Sequence, residues 1–320
     1  MAFGSMTAVV FGGGGFIGRH LVRRLGKTGA VVRVPSRHPT RLSFLRTAGV
    51  VGQIVPELVG PFDDEELAAT IRGADVVINL IGILAEGGGN SFDRLHAKLP
   101  GRIAAAAAAA GVKHLVHVSA IGADAHSASA YARTKAAGEE AVRAAFPQAT
   151  IVRPSIVFGP EDKFFNRFAK MALMSPVLPL IGGGDTRFQP VYVGDVADGI
   201  MAVLNTPDAA GKTYEFGGPE TYSFKQLMEL MLAEIGIQRL LAPLPWGLAS
   251  FQAKFAQHLP GAPLTPDQVE LLKHDNVVSG TAPGLADLGI QPAAPELMLP
   301  TFLDRFRKGG RTGPKVRTAP

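Results

Sequence analysis

Short apolar runs set between glycine, proline and polar clusters recur through the first half of the chain, at 7–11, 30–34, 52–55, 75–82, 114–119 and 150–153. Runs of this length, hardly interrupted by polar residues, predict strands buried on both faces. Longer stretches with helical spacing separate most of them, at 65–72, 100–110 and 131–146, and a Leu21, Val22, Leu25 stripe follows the first strand. Strands alternating with helices predict an α/β fold, a doubly wound parallel sheet with helices on both faces, whose ligands sit at the carboxyl ends of the strands. The alanines from Ala104 to Ala110 lie inside one predicted helix. Alanine is the best helix former and packs closely, so that run is structural.

After about Val157 the pattern changes. Proline-rich turns separate shorter helical stretches at 223–235, 246–257 and 266–273, which predicts a smaller, mostly helical C-terminal lobe. The stretches 191–193 and 213–216 still read as strands, so the chain is expected to return to the sheet near 188–217. The expected organisation is a nucleotide-binding domain over 1–160 with those returns, a substrate-like or docking lobe over 161–306, and a basic flexible tail over 307–320.

The junction between the first strand and its helix reads Gly12-Gly13-Gly14-Gly15-Phe16-Ile17-Gly18-Arg19. Glycines there let the backbone turn sharply and let a pyrophosphate approach bare main-chain N–H groups at the positive end of the helix. This predicts a Rossmann-type dinucleotide site built from Gly12, Gly15, Phe16, Ile17, Gly18 and Arg19. The four consecutive glycines fit both a Gly13, Gly15, Gly18 spacing and a wider Gly12, Gly15, Gly18 spacing.

An NAD-specific site of this type places an acid about 20 residues on, at the end of the second strand, to receive the adenosine ribose. Here that region reads Val34-Pro35-Ser36-Arg37-His38, with no acid. Arg37, assisted by Ser36 and by Arg33 or Arg19, suits a ribose 2′-phosphate, so NADP(H) is favoured over NAD(H). Glu57 and Leu58, ending the third strand, are placed beside the adenine. Gly82, ending the fourth, permits close approach of a cofactor, while Asn79 is expected to tie strand ends together.

With 320 residues, 47% of them hydrophobic, the chain can bury a large core. It has no cysteine, which excludes disulfides, thiolate nucleophiles and cysteine-ligated zinc. The formal charge of +5 hints at nucleic acid, but Arg305, Arg307, Lys308, Arg311, Lys315 and Arg317 account for it: taking those six from 32 leaves 26 basic against 27 acidic residues. No nucleic-acid partner is expected. The eight histidines show no metal-ligand spacing, since His114 and His117 point to opposite faces of a strand, and no metal is assigned. No window reaches the roughly 18 apolar residues of a spanning helix, and the first strand starts too early for a leader, so a cytoplasmic location is expected.

Ser119 ends the fifth predicted strand, and Tyr131-Ala132-Arg133-Thr134-Lys135 opens the helix after it. Four residues apart on a helix, Tyr131 and Lys135 share a face. An ammonium beside a phenol favours the phenolate and can also hold a ribose, so Ser119, Tyr131 and Lys135 form a candidate acid/base set: Tyr131 exchanges a proton with a substrate oxygen that Ser119 orients.

These motifs, with Arg153-Pro154-Ser155-Ile156-Val157-Phe158-Gly159-Pro160 and Val191-Tyr192-Val193-Gly194-Asp195, resemble the extended and atypical short-chain dehydrogenase/reductases along nearly the whole chain except the tail. The resemblance implies a Rossmann domain with a C-terminal substrate lobe, and places Pro154, Ser155 and Val157 beside the nicotinamide. Within that group, Asn79-Leu80-Ile81-Gly82-Ile83-Leu84, His117-Val118-Ser119-Ala120-Ile121-Gly122, Ser129-Ala130-Tyr131 and Phe188-Gln189-Pro190-Val191-Tyr192 are similar to the nucleotide-binding accessory subunits of respiratory complex I and their bacterial relatives. That likeness implies a tightly held NADPH serving structure, complex I subunits as partners, and a place on the cytoplasmic side of the inner membrane with the C-terminal lobe near its surface. The residues themselves leave a second reading open, an NADP-dependent reductase or epimerase-like enzyme acting on a carbonyl or alcohol through Ser119, Tyr131 and Lys135.

Overall fold

The computed structural model describes residues 6–60, 62–257, 264–307 and 309–310. The chain divides into two compact units: Met1–Pro154, Val193–Phe216 and Ser279–Ile290 form the first, and Ser155–Tyr192, Gly217–Val278 and Gln291–Pro320 the second.

The first unit is built on β1 (Thr7–Phe11), β2 (Val31–Ser36), β3 (Ile54–Leu58), β4 (Val76–Asn79), β5 (His114–Val118), β6 (Thr150–Pro154) and β7 (Thr213–Phe216). They form one sheet in the order β3-β2-β1-β4-β5-β6-β7, with every neighbouring pair parallel. The direction of build reverses between β1 and β4, and a crevice opens at the carboxyl ends there. This is the Rossmann-type arrangement predicted from the alternation of elements. The flanking helices are α1 (Phe16–Lys27), α2 (Asp64–Ile71), α3 (Leu99–Ala109), α4 (Ala130–Ala145) and α5 (Val193–Asn205). Val9, Phe11, Val77 and Ile151 from the sheet pack with Leu67, Ile71, Ile103, Ala104, Ala107 and Val142 from α2, α3 and α4. The alanine run does what its composition predicts. Ala104 and Ala107 are fully buried, and a Cβ on Gly101 would lie only 2.8 Å from Ala141 Cβ, so α3 and α4 meet almost backbone to backbone.

Several strand ends differ from the sequence reading, for local reasons. The fourth strand stops at Asn79, because its side-chain oxygen accepts the Ile81 N–H at 3.1 Å and turns the chain. The second runs on to Ser36, paired with Leu58 of β3. A 3₁₀ segment at Pro39–Ala48 has no forewarning in the hydrophobic pattern. Of the two stretches expected to return to the sheet, Thr213–Phe216 joins it as the outermost strand beside β6, whereas Val191–Tyr192 pairs with Val157–Phe158 in a ladder of its own.

The second unit holds that ladder and two others: Arg187–Phe188 against Tyr222–Ser223, and Val177–Ile181 against Leu240–Leu244. Its longer helices are Phe165–Met174, Phe224–Ile235, Trp246–Ala256 and Pro266–Leu271. Two of them begin with reciprocal capping boxes, Ser223 with Gln226 and Thr265 with Gln268. Phe158, Phe165, Phe188, Phe224, Leu227, Met231 and Phe302 are among the residues of its core. In helix Trp246–Ala256 the small residues face inward: Ala249 and Ala253 are fully buried against Ile181 and Val269, and Leu248, Phe251 and Phe255 are exposed. Beyond Arg307, Gly309 and Gly310, the tail assigned to 307–320 lies outside the described residues.

Candidate functional site

The glycine turn resolves into three separate demands. Gly12 has φ +76°, and a Cβ there would press on the Leu80 and Ile81 backbone at 3.0–3.1 Å. Gly15 is the N-cap of α1 with no side-chain cap, and the first turn of α1 carries no acid. Gly18 lies so close to the turn that a Cβ would fall 2.4 Å from the Gly12 carbonyl oxygen. Gly13 is crowded as well, since a Cβ there would fall 2.9 Å from Val34 Cγ1, so what sets Gly12 apart from Gly13 is its positive φ. A helix N-terminus with no capping side chain and no nearby acid leaves the amides of Phe16, Ile17 and Gly18 suited to an anion. Arg19, in the first turn of α1, lies over the Phe44 ring at 5.0 Å.

At the end of β2 the Ser36 hydroxyl accepts the His38 N–H at 3.1 Å, and Arg37 is exposed. Arg33 and Glu57 neutralise one another across β2 and β3 in a two-pronged ion pair of 2.7 and 3.1 Å, and Arg33 also reaches the Arg72 carbonyl. That pairing explains why Arg33 and Glu57 are half-buried while neighbouring Leu58 is 74% exposed.

The other half of the site is made of side chains. Ser129 caps α4 by accepting the Ala132 N–H, which starts the helix at Ala130 and sets Tyr131 and Lys135 one turn apart. Lys135 is buried, donates to the Val118 carbonyl at 3.3 Å, and has its Nζ 6.0 Å from the centre of the Tyr131 ring. Burial pushes its ammonium down to about 8, against the opposing pull of Glu139 one turn further along. Glu139 is itself buried and held by Arg153 at 2.7 and 2.8 Å, with Arg153 also 3.8 Å from Glu215. Helix α4 is thereby locked to β6 and β7 by charge.

Ser119 sits just past β5, 4% exposed, and its hydroxyl has no partner among the described residues. Two histidines share this floor. His117, directly across from Asn79 in the β4–β5 register, contacts the Asn79 amide nitrogen through Nδ1 at 3.2 Å and leaves Nε2 without a partner among the described residues. His96 lies on a π-helical turn, Asp93–Lys98, that runs straight into α3. Its Nε2 accepts the Ile83 N–H at 3.0 Å, it stacks on Phe92, and it meets the Tyr131 ring edge-on at 5.2 Å. Burial, reinforced by the charge of Lys135, holds His96 down at about 3 and His117 well below the usual histidine range. Both rings are neutral at physiological pH. Gly138 makes the arrangement possible, because any Cβ there would fall 1.9 Å from the His96 carbonyl oxygen.

The structure thus brings Gly82, Ser119, Tyr131 and Lys135 to the carboxyl ends of β4 and β5; a Cβ on Gly82 would stand 3.5 Å from Lys135 Nζ and 3.8 Å from His96 Nε2. Pro154 ends β6, and its carbonyl accepts the Ile121 N–H. Ser155 and Val157 belong to the second unit: the Ser155 hydroxyl is taken by the backbone and side-chain oxygens of Asn276, each at 2.8 Å, and Val157 pairs with Val191. Arg187 and Gln189 are likewise committed within that unit, to Asp275 and to Gly218 and Val278. Sequence reasoning passed over His96, Gly138 and Glu139. A signal existed for His117, since residues i and i+2 on a strand share a face with Ser119. Among the described residues no group of three or more His, Asp or Glu side chains could hold a metal ion.

Comparison with known proteins agrees with this fold. Residues 8–217 match the NAD dependent epimerase/dehydratase family. The chain is 38% identical over 317 residues to NADH dehydrogenase (ubiquinone) 1 alpha subcomplex subunit 9, mitochondrial, of Arabidopsis thaliana, covering 95% of this chain and 79% of that protein. The Mus musculus counterpart is 38% identical over 305 residues, 94% of this chain and 81% of that one. A solved dTDP-glucose 4,6-dehydratase of Streptomyces venezuelae with NAD bound superposes with a TM-score of 0.69 at 22% identity, over 94% of this chain and 96% of that one, a likeness of fold alone. From its nucleotide-binding Rossmann fold and from these matches, the chain belongs to the NAD dependent epimerase/dehydratase family and is homologous to the complex I alpha subcomplex subunit 9 proteins.

Proposed function

We propose that this chain holds NADP(H) in its glycine turn and serves as an accessory subunit of a respiratory complex I, with the nucleotide supporting structure more than turnover. One observation carries the assembly. The epimerase/dehydratase match ends at residue 217, whereas identity to the complex I subunit 9 proteins extends over 94–95% of the chain and so takes in most of the C-terminal part as well. A helix showing Leu248, Phe251 and Phe255 to the outside beside Lys254 supports a peripheral place against a partner or the membrane surface on the cytoplasmic side. Among the described residues no helix is long and apolar enough to cross a membrane.

The residues suit the nucleotide. Amides of Phe16, Ile17 and Gly18 receive the diphosphate, and Glu57 and Leu58 flank the adenine. Preference for NADP(H) rests on an acid-free end of β2: Arg37 and Ser36 meet a 2′-phosphate, and Glu57 on the adjoining β3 is already neutralised by Arg33. Lys135 and Tyr131 hold the nicotinamide ribose, and the unpartnered Ser119 hydroxyl offers a hydrogen bond in the crevice. When bound, the group supplies hydride transfer. Isolation in mild detergent, followed by identification of nucleotide released on denaturation and of co-purifying chains, tests the proposal. NADP(H) together with complex I subunits is expected; recovery of a free oligomer alone would overturn the assembly.

The intact set of Ser119, Tyr131 and Lys135 supports a second reading, an NADP-dependent oxidoreductase or epimerase-like enzyme. In it Tyr131 passes a proton to or from a substrate oxygen held by Ser119, and an ammonium lowered to about 8 tunes the phenol. A panel of carbonyls and alcohols that leaves the bound nucleotide unchanged, with Tyr131→Phe silent in growth, would reject it.

A further inference from the structure

The second unit contains a shallow concavity of about 600 Å³ in which three arginines meet an apolar floor. Arg239, Arg305 and Arg307 line it together with Leu173, Ile237 and Phe306. Each guanidinium is pinned by acceptors outside the concavity's needs. Arg239 donates through Nε to the Ala172 carbonyl at 2.7 Å and through Nη1 to the Gln238 carbonyl at 2.9 Å. Arg305 donates through Nη2 to the Pro160 carbonyl at 3.0 Å and to the Asn166 side-chain oxygen, and lies over the Phe306 ring at 5.1 Å. Arg307 donates through Nε to the Glu234 carbonyl at 2.6 Å and through Nη2 to the Glu234 carboxylate.

Two consequences follow from that wiring. The three side chains are held in place before any ligand arrives, so little rotamer entropy is lost on binding. The acceptors they use are mostly neutral carbonyls, and Glu234 is the sole carboxylate bonded to the three among the described residues. Arg239 Nη2, Arg307 Nη1 and both Nε and Nη1 of Arg305 keep donors with no acceptor among the described residues. Carbonyls near the C-termini of helices Phe165–Met174 and Phe224–Ile235 offset part of the charge, as arginines at helix ends do. They leave the outward donors unspent.

We infer that this concavity is a binding site for an organic phosphate, a multivalent oxyanion joined to an apolar group. Donors left on three separate guanidinium groups suit an anion with several oxygens and more than one charge, which a phosphate offers and a single carboxylate does not. The floor of Leu173, Ile237 and Phe306 suits the apolar portion, and Leu173 and Met174 are 49% and 87% exposed. Neither the nucleotide nor the complex I assignment enters this inference.

The full chain would be titrated with inorganic phosphate and pyrophosphate by calorimetry, and tested by flotation with phosphatidylcholine vesicles with and without phosphatidylglycerol. Saturable binding is expected in at least one arm, weakened at least about tenfold by Arg239→Gln with Arg305→Gln. A thermal melt confirms folding, and Arg239→Lys, which keeps the charge and loses the fork, should weaken binding less. Saturation by pyrophosphate alone, measured with NADPH filling the glycine turn and lost with the arginine changes, assigns a soluble phosphate. Flotation only with phosphatidylglycerol, competed by pyrophosphate, assigns a lipid headgroup. Binding in neither arm, or flotation that survives the arginine changes and disappears when Lys315 and Arg317 are changed to Gln, would overturn the inference.

Discussion

Each unit is stabilised internally by its own means. The first repeats one operation, a buried parallel strand followed by a helix, and its polar groups collect at the strand ends: Asn79, His117, Ser119 and Lys135 are all under 5% exposed. Among its described residues the second has three two-stranded ladders and no extended sheet, and it leans on a few side chains that serve backbone at long range. Asn276 is the clearest case, accepting from Ser155 Oγ and from the Ile156 N–H across some 120 positions of chain. Asp162 is another, its buried carboxylate accepting the amides of Gly159, Phe164 and Asn166. Burial raises the Asp162 carboxyl while those amides pull the other way. A layered fold can be specified by apolar periodicity, whereas an irregular one needs individual polar residues to name its contacts.

That contrast can be broken at definite points. The largest effect is expected at Gly138, where a valine would drive a Cβ into the His96 carbonyl and cost about 3 kcal/mol or more, seen as a lowered denaturant midpoint. If Gly138→Val folds as well as the parent, the π-turn and α4 do not meet as described. In the second unit, Asn276→Ala should cost about 2 kcal/mol by orphaning the Ile156 amide and half of the Ser155 bonding. An unchanged midpoint would show that this unit does not depend on single polar hubs.

Acid sensitivity sharpens the comparison further. His96 has a depressed folded pKa, about 3 against an ordinary 6.5, so below pH 6.5 the unfolded chain takes up a proton that the native state refuses. Stability therefore falls as pH drops through 6.5 and keeps falling toward 3, by about 2 kcal/mol between pH 7.5 and 5 for this ring alone. His96→Gln, which can still accept the Ile83 amide, should flatten that slope in urea midpoints measured at the two pH values. The smallest effect concerns affinity. Arg37→Ala should weaken NADPH about tenfold, leave NADH and the melting temperature unchanged, and thereby confirm that an exposed guanidinium sets cofactor choice without supporting the fold. Equal loss for both nucleotides would remove Arg37 from that role.

Much of the site was legible in the primary structure because its backbone half depends on local requirements. Gly12 needs a positive φ, Gly18 needs the absence of a Cβ, and the i, i+4 spacing of Tyr131 and Lys135 follows from helix pitch. The side-chain half was less legible. Nothing in the neighbourhood of His96 announces that it stacks on Phe92 and meets Tyr131, since the latter contact joins residues 35 positions apart.

By itself, the order of residues determined the alternation of strand and helix, the parallel Rossmann-type sheet, the glycine turn between β1 and α1 and the placing of Ser119, Tyr131 and Lys135 at element ends. Those features follow from periodicity, chain stereochemistry and short-range spacing. Only the tertiary structure decided that Glu57 is neutralised by Arg33, that Ser155 serves Asn276, that strand 191–192 pairs outside the main sheet, and that Lys135 is lowered to about 8. Each depends on burial or on a partner far along the chain, and no local rule of sequence encodes how much water a folded environment removes from a charge.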